Sequence, residues 1–156
     1  MAWPALALAV LVLVLDQASK WWILAEVMQL QRVIEVTSFF NLVLVWNRGV
    51  SFGLLDQDSE IGPWLLVALA AAIVAGLLVW LRRAPGPWPI LAVGLIVGGA
   101  VGNAVDRVRF GAVLDFLDLH AAGYHWPAFN LADSAIVAGV AVLVIDGLFS
   151  GRQSIE

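Results

Sequence analysis

Four long apolar runs constrain what this chain can fold into more than any other feature of its sequence. They cover about residues 3–24, 61–81, 88–105 and 131–149. A helix of roughly 20 residues crosses the ~30 Å hydrocarbon layer of a bilayer, and each run is about that long. With 62% hydrophobic and only 13% charged residues, the chain lacks the polar surface that a soluble domain needs. The sequence therefore predicts a single integral membrane domain, residues 1–156, with four transmembrane helices.

The distribution of basic residues predicts how the helices are threaded through the membrane. The first run has no basic segment before it and continues through Trp21 and Trp22, so we interpret it as a retained helix and not as a cleaved signal peptide. Arg82, Arg83 and Arg152 then place both termini in the cytoplasm, because short cytoplasmic loops are enriched in Lys and Arg. More basic residues lie on the opposite side, but several belong to polar motifs, and we give them less weight.

Two segments outside the apolar runs predict additional structure on the outer face. Residues 32–46 are rich in β-branched and aromatic side chains and are followed by the turn sequence Asn47-Arg48-Gly49, which predicts a small β element over about residues 32–55. Residues 115–122 are mildly amphipathic and predict a short helix lying in the membrane interface. The expected fold is an all-α membrane protein with these two additions.

The polar side chains of the sequence gather on one side of the membrane. With four spans, the end of the first, the start of the second, the end of the third and the start of the fourth share a face. The residues at that face or in its loops are Asp16, Lys20, Asn47, Arg48, Asn103, Asp106, Arg107, Asp115, Asn130 and Asp133. The opposite face offers only Arg82, Arg83, Asp146 and a short polar tail. We therefore expect the chemistry to be one-sided.

Charged residues inside the first run and directly after the third predict ion pairs within the bundle. Asp16 and Lys20 are spaced i, i+4, which places them on one helix face. Asp106 continues a row of small residues that lets another helix approach closely, and Asn103 continues from Gly99, so both should point into the bundle. That row consists of Gly94, Gly98 and Gly102. We expect Arg107 to be the counter-ion of Asp106, which suits a structural or orienting role for this carboxylate.

Asp115 and Asp133 are the carboxylates that the sequence leaves without a cation. Neither has a Lys or Arg within five positions, and Asp133 stands in the first turn of the fourth run, where Asn130 can act as N-cap. An ionisable group at a membrane boundary is costly, and chains that keep one usually use it. Two carboxylates at one interface can share a proton as acid and base, as in aspartic proteolysis.

Other chemistries have weaker support in the sequence. The chain has no cysteine and no His-Glu-x-x-His, which excludes thiolate ligands, a cysteine nucleophile and a zinc protease of that type. Ser134 adjoins Asp133, and Ser19 adjoins Lys20, but neighbouring side chains on a helix point apart. We interpret His120 and His125 as loop residues and not as metal ligands. The net charge of −4 gives no indication of a nucleic-acid partner.

Four ordered motifs give the chain a specific family resemblance over almost its whole length. They are Asp16-Gln-Ala-Ser-Lys20, Asn47-Arg48-Gly49-Val50-Ser51-Phe52-Gly53, Gly102-Asn103-Ala-Val-Asp106-Arg107 followed by Gly111-Ala-Val-Leu-Asp115-Phe116, and Phe129-Asn130-Leu-Ala132-Asp133. In this order they resemble bacterial lipoprotein signal peptidase, signal peptidase II. The departure is Val50-Ser51, where the family more often has two alanines.

The resemblance implies an intramembrane aspartic endopeptidase of the bacterial cytoplasmic membrane. Such enzymes remove the signal peptide of prolipoproteins just before a cysteine that carries diacylglyceryl, and the cyclic peptide globomycin inhibits them. The implied catalytic residues are Asp115 and Asp133. The implied supporting residues are Asp16, Lys20, Asn47, Gly49, Asn103, Asp106, Arg107, Asn130 and Ala132. The resemblance implies no metal and no organic cofactor, and we expect a monomer in contact with membrane lipid.

Two other classes of function are compatible with the apolar runs alone. A small transporter or channel could use Asp115 and Asp133 as a proton relay, and it would show conductance or uptake without peptide cleavage. A non-catalytic assembly factor could use the row Gly94 to Gly102 to bind another membrane helix, and it would tolerate the loss of either aspartate.

Overall fold

Four helices form the frame of the molecule in the computed structural model, which describes residues 3–29, 31–49, 61–83 and 86–150. The helices are α1 (Trp3–Trp22), α2 (Ile61–Leu81), α3 (Pro87–Phe110) and α4 (Leu131–Ser150). A π-helical turn, Ile23–Val27, extends α1. In the described part of the chain, four helices are long and apolar enough to cross a membrane, which confirms the four predicted spans.

Helix α3 is the centre of the bundle and packs against the three other helices. Its glycines allow the close approach, since a Cβ added to Gly98 would lie 2.7 Å from the backbone oxygen of Ala9 in α1. One added to Gly99 would collide with the backbone of Ala132 in α4. The predicted glycine row therefore serves contacts within this chain. Helix α2 lies at the edge, with few buried residues.

An antiparallel sheet of four strands covers one end of the bundle. Its strands, in spatial order, are β1 (Val33–Thr37), β2 (Phe40–Asn47), β3 (Val113–Ala121) and β4 (Tyr124–His125). The predicted β element is confirmed for residues 33–47, and the rest of its range beyond Gly49, including Val50-Ser51, lies outside the described residues. Leu114 and Phe116 of β3 form a small apolar core with Ile23 and Met28 at the end of α1.

The predicted interfacial helix over residues 115–122 is wrong, because this segment is strand β3. It pairs with β2 in a register that sets Asp118 opposite Asn41 and Leu117 opposite Leu42. This pairing joins residues more than 70 positions apart and outweighs the local amphipathic pattern. The alternation from Leu117 to His120, apolar then polar, is the period-two signal that favours a strand.

The ends of α3 and α4 meet through this sheet. Gly111, with φ +70°, ends α3 in the left-handed conformation and lets the chain turn directly into β3. After the β3–β4 hairpin, Phe129 forms a bridge back to Leu117. Asn130 then begins α4, where its Oδ1 accepts a hydrogen bond of 2.9 Å from the backbone N–H of Asp133. The predicted N-cap is confirmed.

Candidate active site

Asp115 lies in β3 with both carboxylate oxygens held by asparagine amides. Nδ2 of Asn130 donates to Oδ1 at 2.7 Å, and Nδ2 of Asn47 donates to Oδ2 at 2.9 Å. The residue is only 1% exposed. Burial raises the pKa of Asp115 to about 6, the negative charge of Asp133 adds to the effect, and the two amides counteract it. Asp115 can therefore exchange a proton near neutral pH.

Asp133 occupies the third position of α4 and is half-buried. Nδ2 of Asn103 donates to its Oδ1 at 2.7 Å. The backbone N–H of Asn130 lies 3.2 Å from its Oδ2, so Asn130 and Asp133 cap each other at the start of the helix. Asn130 contacts both Asp133 and Asp115, so the structure brings the two predicted carboxylates to one site.

Two asparagines connect these carboxylates. Nδ2 of Asn130 also lies 3.1 Å from Oδ1 of Asn103 and 3.2 Å from the backbone oxygen of Leu114, although its contact with Asp115 is the shortest. Asn103 and Asn130 are both buried. Because each asparagine uses its amide group on one carboxylate and they contact each other, the orientation of one carboxylate depends on the other.

A buried ionic cluster supports this pair from the bundle side. Nζ of Lys20 lies 2.9 Å from Asp16, 2.8 Å from Asp106 and 3.2 Å from Oδ1 of Asn103. The predicted pair of Asp16 and Lys20 is confirmed. The predicted counter-ion Arg107 interacts electrostatically with Asp106, but the direct ion pair of Asp106 is with Lys20 of α1, because consecutive side chains on a helix point apart.

Arg107 faces the two carboxylates instead. Its Nη1 lies 3.4 Å from the backbone oxygen of Asn103, and its guanidinium interacts electrostatically with Asp133 and Asp115. The sequence left these carboxylates without a cation because Arg107 is distant from both along the chain. A fixed positive charge beside the site favours an ionised carboxylate there.

The remaining predicted site residues align the elements around the pair. Oδ1 of Asp16 accepts a hydrogen bond of 3.0 Å from the backbone N–H of Ala132, which joins α1 to the first turn of α4. Gly49 donates its N–H to Oδ1 of Asn47 at 2.7 Å and has φ +96°, a conformation that glycine adopts without strain. The second oxygen of Asp106 also accepts from the backbone N–H of Leu114 at 3.2 Å.

Gln17 belongs to this network although the sequence analysis missed it. Its Nε2 donates to Oδ1 of Asp106 at 2.9 Å and lies 3.3 Å from the backbone oxygen of Gly102 and 3.2 Å from Asp16. The sequence feature that could have identified Gln17 is its position between Asp16 and Lys20, on a helix that packs against α3. Among the described residues, no group of three His, Cys, Asp or Glu side chains is arranged to hold a metal ion.

The fold and the site define a class: a multi-pass membrane protein with two carboxylates held in an asparagine and ion-pair network at one end of its helices. Comparison with known proteins identifies the family within this class. A family model described as Signal peptidase (SPase) II matches residues 8–149. The chain belongs to the signal peptidase II family and is a bacterial membrane protease that removes signal peptides from lipoproteins.

Individual relatives agree with this membership. A lipoprotein signal peptidase of Methylobacterium sp. (strain 4-46) is 52% identical over 93% of this chain and 88% of its own length. One from Methylorubrum extorquens (strain PA1) is 51% identical, with 87% and 80% covered. A bacterial membrane enzyme solved by the in meso method at 2.3 Å resolution superposes with a TM-score of 0.81 at 29% identity, covering 97% of this chain and 91% of that one.

Proposed function

We propose that the protein is an aspartic endopeptidase whose catalytic pair is Asp115 and Asp133. Its substrate is a prolipoprotein already modified with diacylglyceryl, and it cleaves just before the lipidated cysteine. The observation that carries the proposal is the shared asparagine support, in which Asn130 donates to Asp115 through its side chain and to Asp133 through its backbone. Two carboxylates held in this way are oriented toward one reacting bond.

The chemistry follows from one proton shared by two carboxyl groups. The ionised carboxylate removes a proton from water as the water oxygen attacks the scissile carbonyl carbon. The protonated carboxyl donates to the carbonyl oxygen and so stabilises the tetrahedral intermediate. When the C–N bond breaks, the leaving nitrogen takes the proton that came from water, and a hydroxyl of the intermediate returns its proton to the other carboxylate as the C=O bond re-forms, so the pair again holds one proton.

Asp115 is the better candidate for the protonated member. Its burial and the raised pKa of about 6 keep it protonated more readily than an ordinary carboxyl group. Asp133, half-buried in the first turn of α4, is at a helix N-terminus, which favours an anion.

The network around the pair suggests what its other members do. Asn47, Asn103 and Asn130 orient the carboxylates, because each donates an amide hydrogen bond to one of them. The ions Lys20, Asp16 and Asp106 join α1, α3 and α4 around that end of the bundle. Arg107 supplies positive charge at the site, and Gly49 holds the turn after β2 that presents Asn47.

The site's place at one end of the helices suits a substrate that arrives within the bilayer. We propose that this end faces the outside of the cytoplasmic membrane and that both termini face the cytoplasm. A lipid-modified substrate can then approach sideways, with its signal helix in the hydrocarbon layer and the scissile bond at the interface. The enzyme acts as a monomer surrounded by lipid, and globomycin is expected to inhibit it at the carboxylate pair.

The test uses the full-length protein in lipid with a diacylglyceryl-modified prolipoprotein. Asp115→Asn and Asp133→Asn should each abolish cleavage, because an amide cannot exchange the required proton. Glu35→Gln on exposed β1 makes the same chemical change away from the site and should leave cleavage intact. Cleavage near the parental rate by either aspartate variant contradicts the assignment. Conductance without peptide cleavage would support the proton-relay alternative.

A further inference from the structure

A second polar cluster lies where β2, β3 and β4 meet. Nδ1 of His125 lies 2.9 Å from both carboxylate oxygens of Asp118. Nδ2 of Asn41, the cross-strand partner of Asp118, donates to Oδ2 at 2.9 Å. Asp118 and Asn41 are each only 6% exposed. A buried carboxylate is thus held by the neighbouring strand on one side and by the hairpin on the other.

The imidazole of His125 is fixed by a second contact. Its ring stacks on the ring of His120 with centroids 4.8 Å apart and planes 23° apart, and the two residues are cross-strand partners. Burial acts to raise the pKa of Asp118, but the hydrogen bonds from His125 and Asn41 outweigh it and lower that pKa. The carboxylate is therefore ionised and accepts a hydrogen bond from Nδ1 of His125 when that nitrogen carries a proton.

This cluster lies on the segment of chain that links the two catalytic carboxylates. Asp115 is in β3, and the chain passes through the hairpin before it returns to Asp133. On the way back, Phe129 exchanges backbone hydrogen bonds of 3.0 and 2.8 Å with Leu117. Asn130 follows directly. The position of the hairpin therefore sets how the chain enters α4.

Asp118 does not share the face of Asp115. The two are three positions apart in one strand, and alternate residues of a strand point to opposite faces. Asp118 and His125 can then affect the reaction only through the backbone that joins the carboxylates.

We propose that His125 is a positioning residue of the peptidase, which fixes the β3–β4 hairpin through Asp118 and thereby sets the separation of Asp115 and Asp133. The inference rests on the proposed function. What His125 contributes is a donor for the Asp118 carboxylate, so a side chain that keeps a donor at that place should preserve the effect. Asparagine places an amide donor near the position of Nδ1, and leucine removes the donor while it fills similar space.

The test compares His125→Leu, His125→Asn and Asp118→Asn in the full-length protein in lipid, with the same lipidated substrate. Tyr124→Ser is the control, since this side chain is 70% exposed on the same hairpin. We expect His125→Leu and Asp118→Asn to lower kcat about tenfold or more with KM nearly unchanged, because small displacements of reacting groups are costly. His125→Asn should recover most of the rate, and Tyr124→Ser should match the parent.

The pH profile separates positioning from general loss of structure. If the carboxylates move apart, they repel each other less, and the alkaline limb of kcat/KM should move to lower pH in His125→Leu and in Asp118→Asn, but not in His125→Asn or Tyr124→Ser. The inference is overturned if His125→Leu and Asp118→Asn cleave at the parental rate. It is also overturned if His125→Asn loses as much rate as His125→Leu with an unmoved profile. If His125→Leu does not fold, Asp118→Asn and His125→Asn decide the question by the same criteria. Cleavage by Asp115→Asn would instead refute the catalytic pair itself.

Discussion

Asn130 donates a side-chain hydrogen bond of 2.7 Å to Oδ1 of Asp115, although fifteen residues and a complete hairpin separate the two along the chain. The same residue caps α4 by accepting the backbone N–H of Asp133 at 2.9 Å. The side chain of Asn130 therefore both caps a helix and orients a carboxylate. Substitutions can separate these two roles, because capping requires only an acceptor for the N–H of Asp133, whereas orienting Asp115 requires a donor that reaches its carboxylate.

Asn130→Ser should keep the cap and lose the donor to Asp115. Serine is as good an N-cap as asparagine, so we expect the melting temperature to stay near that of the parent. Cleavage should fall by roughly a hundredfold, since an unsupported carboxylate loses its productive orientation. Asn130→Ala should lose both the helix cap and the hydrogen bond to Asp115, and the loss of the cap should lower the free energy of unfolding by about 1 kcal/mol. Thermal unfolding in detergent and initial cleavage rates measure the two effects. Equal stability losses in Asn130→Ser and Asn130→Ala would contradict the claim that the two roles of Asn130 can be separated.

The raised pKa of Asp115 predicts a stability change with pH. The folded protein binds this proton up to about pH 6, whereas the unfolded chain releases it near the ordinary carboxyl pKa of 3.8. A group whose pKa is raised on folding contributes stability at low pH, and this contribution is lost as pH rises from about 4 to 6. The full shift corresponds to at most about 3 kcal/mol.

The measurement compares the parent with Asp115→Asn, which cannot titrate at this position. Thermal unfolding from pH 4 to 7 should show the parent losing stability relative to the variant, and the difference should level off above about pH 6. A constant difference across this range would mean that Asp115 titrates at its ordinary value. Glu35→Gln, an exposed carboxylate in β1, provides the matched control and should track the parent.

The helical part of the fold could be predicted because a membrane span leaves a local signal. Each span is a continuous apolar segment, and its length alone identifies it. Strand β3 could not be predicted in the same way, because its partner β2 lies far away in the sequence. Asp118 pairs with Asn41, and a pairing of such long range appears in neither segment alone. The local amphipathic pattern of residues 115–122 was therefore misleading.

The motifs predicted which residues the structure brings together around Asp115 and Asp133, but not the contacts between them. Arg107 follows Asp106 directly, and adjacency suggested an ion pair that helix geometry does not allow. Lys20 takes that place from another helix. Likewise, the His125 contact with Asp118 depends on a hairpin that the sequence analysis did not predict. The sequence motifs identify the residues, whereas the packing of helices and strands decides which of them are in contact.

Lys20→Met should test the corrected ion pairing. It leaves the carboxylates of Asp16 and Asp106 buried without their cation, and breaking a buried pair in this way costs about 3–5 kcal/mol. The double variant Lys20→Met with Asp106→Asn should recover part of the loss. Arg107→Gln should cost much less stability while it lowers cleavage, because this side chain lies beside Asp115 and Asp133, the proposed catalytic pair. Thermal unfolding in detergent and cleavage assays measure both quantities. A larger stability loss in Arg107→Gln than in Lys20→Met would instead favour Arg107 as the main counter-ion of Asp106.

Gly98→Ala should separate α3 from α1. The added methyl would lie 2.7 Å from the backbone oxygen of Ala9, and backbone cannot move aside without shifting a whole helix. Gly76→Ala in α2 is the matched control, since its Cβ meets nothing within 4 Å and alanine is the better helix former. We expect Gly98→Ala to lower the melting temperature and Gly76→Ala to leave it unchanged or raise it. Because Gly98 lies on the same helix as Asn103 and Asp106, the shift should also reduce cleavage. Parental stability and activity in Gly98→Ala would show that α1 and α3 are not packed as closely as the structure has them.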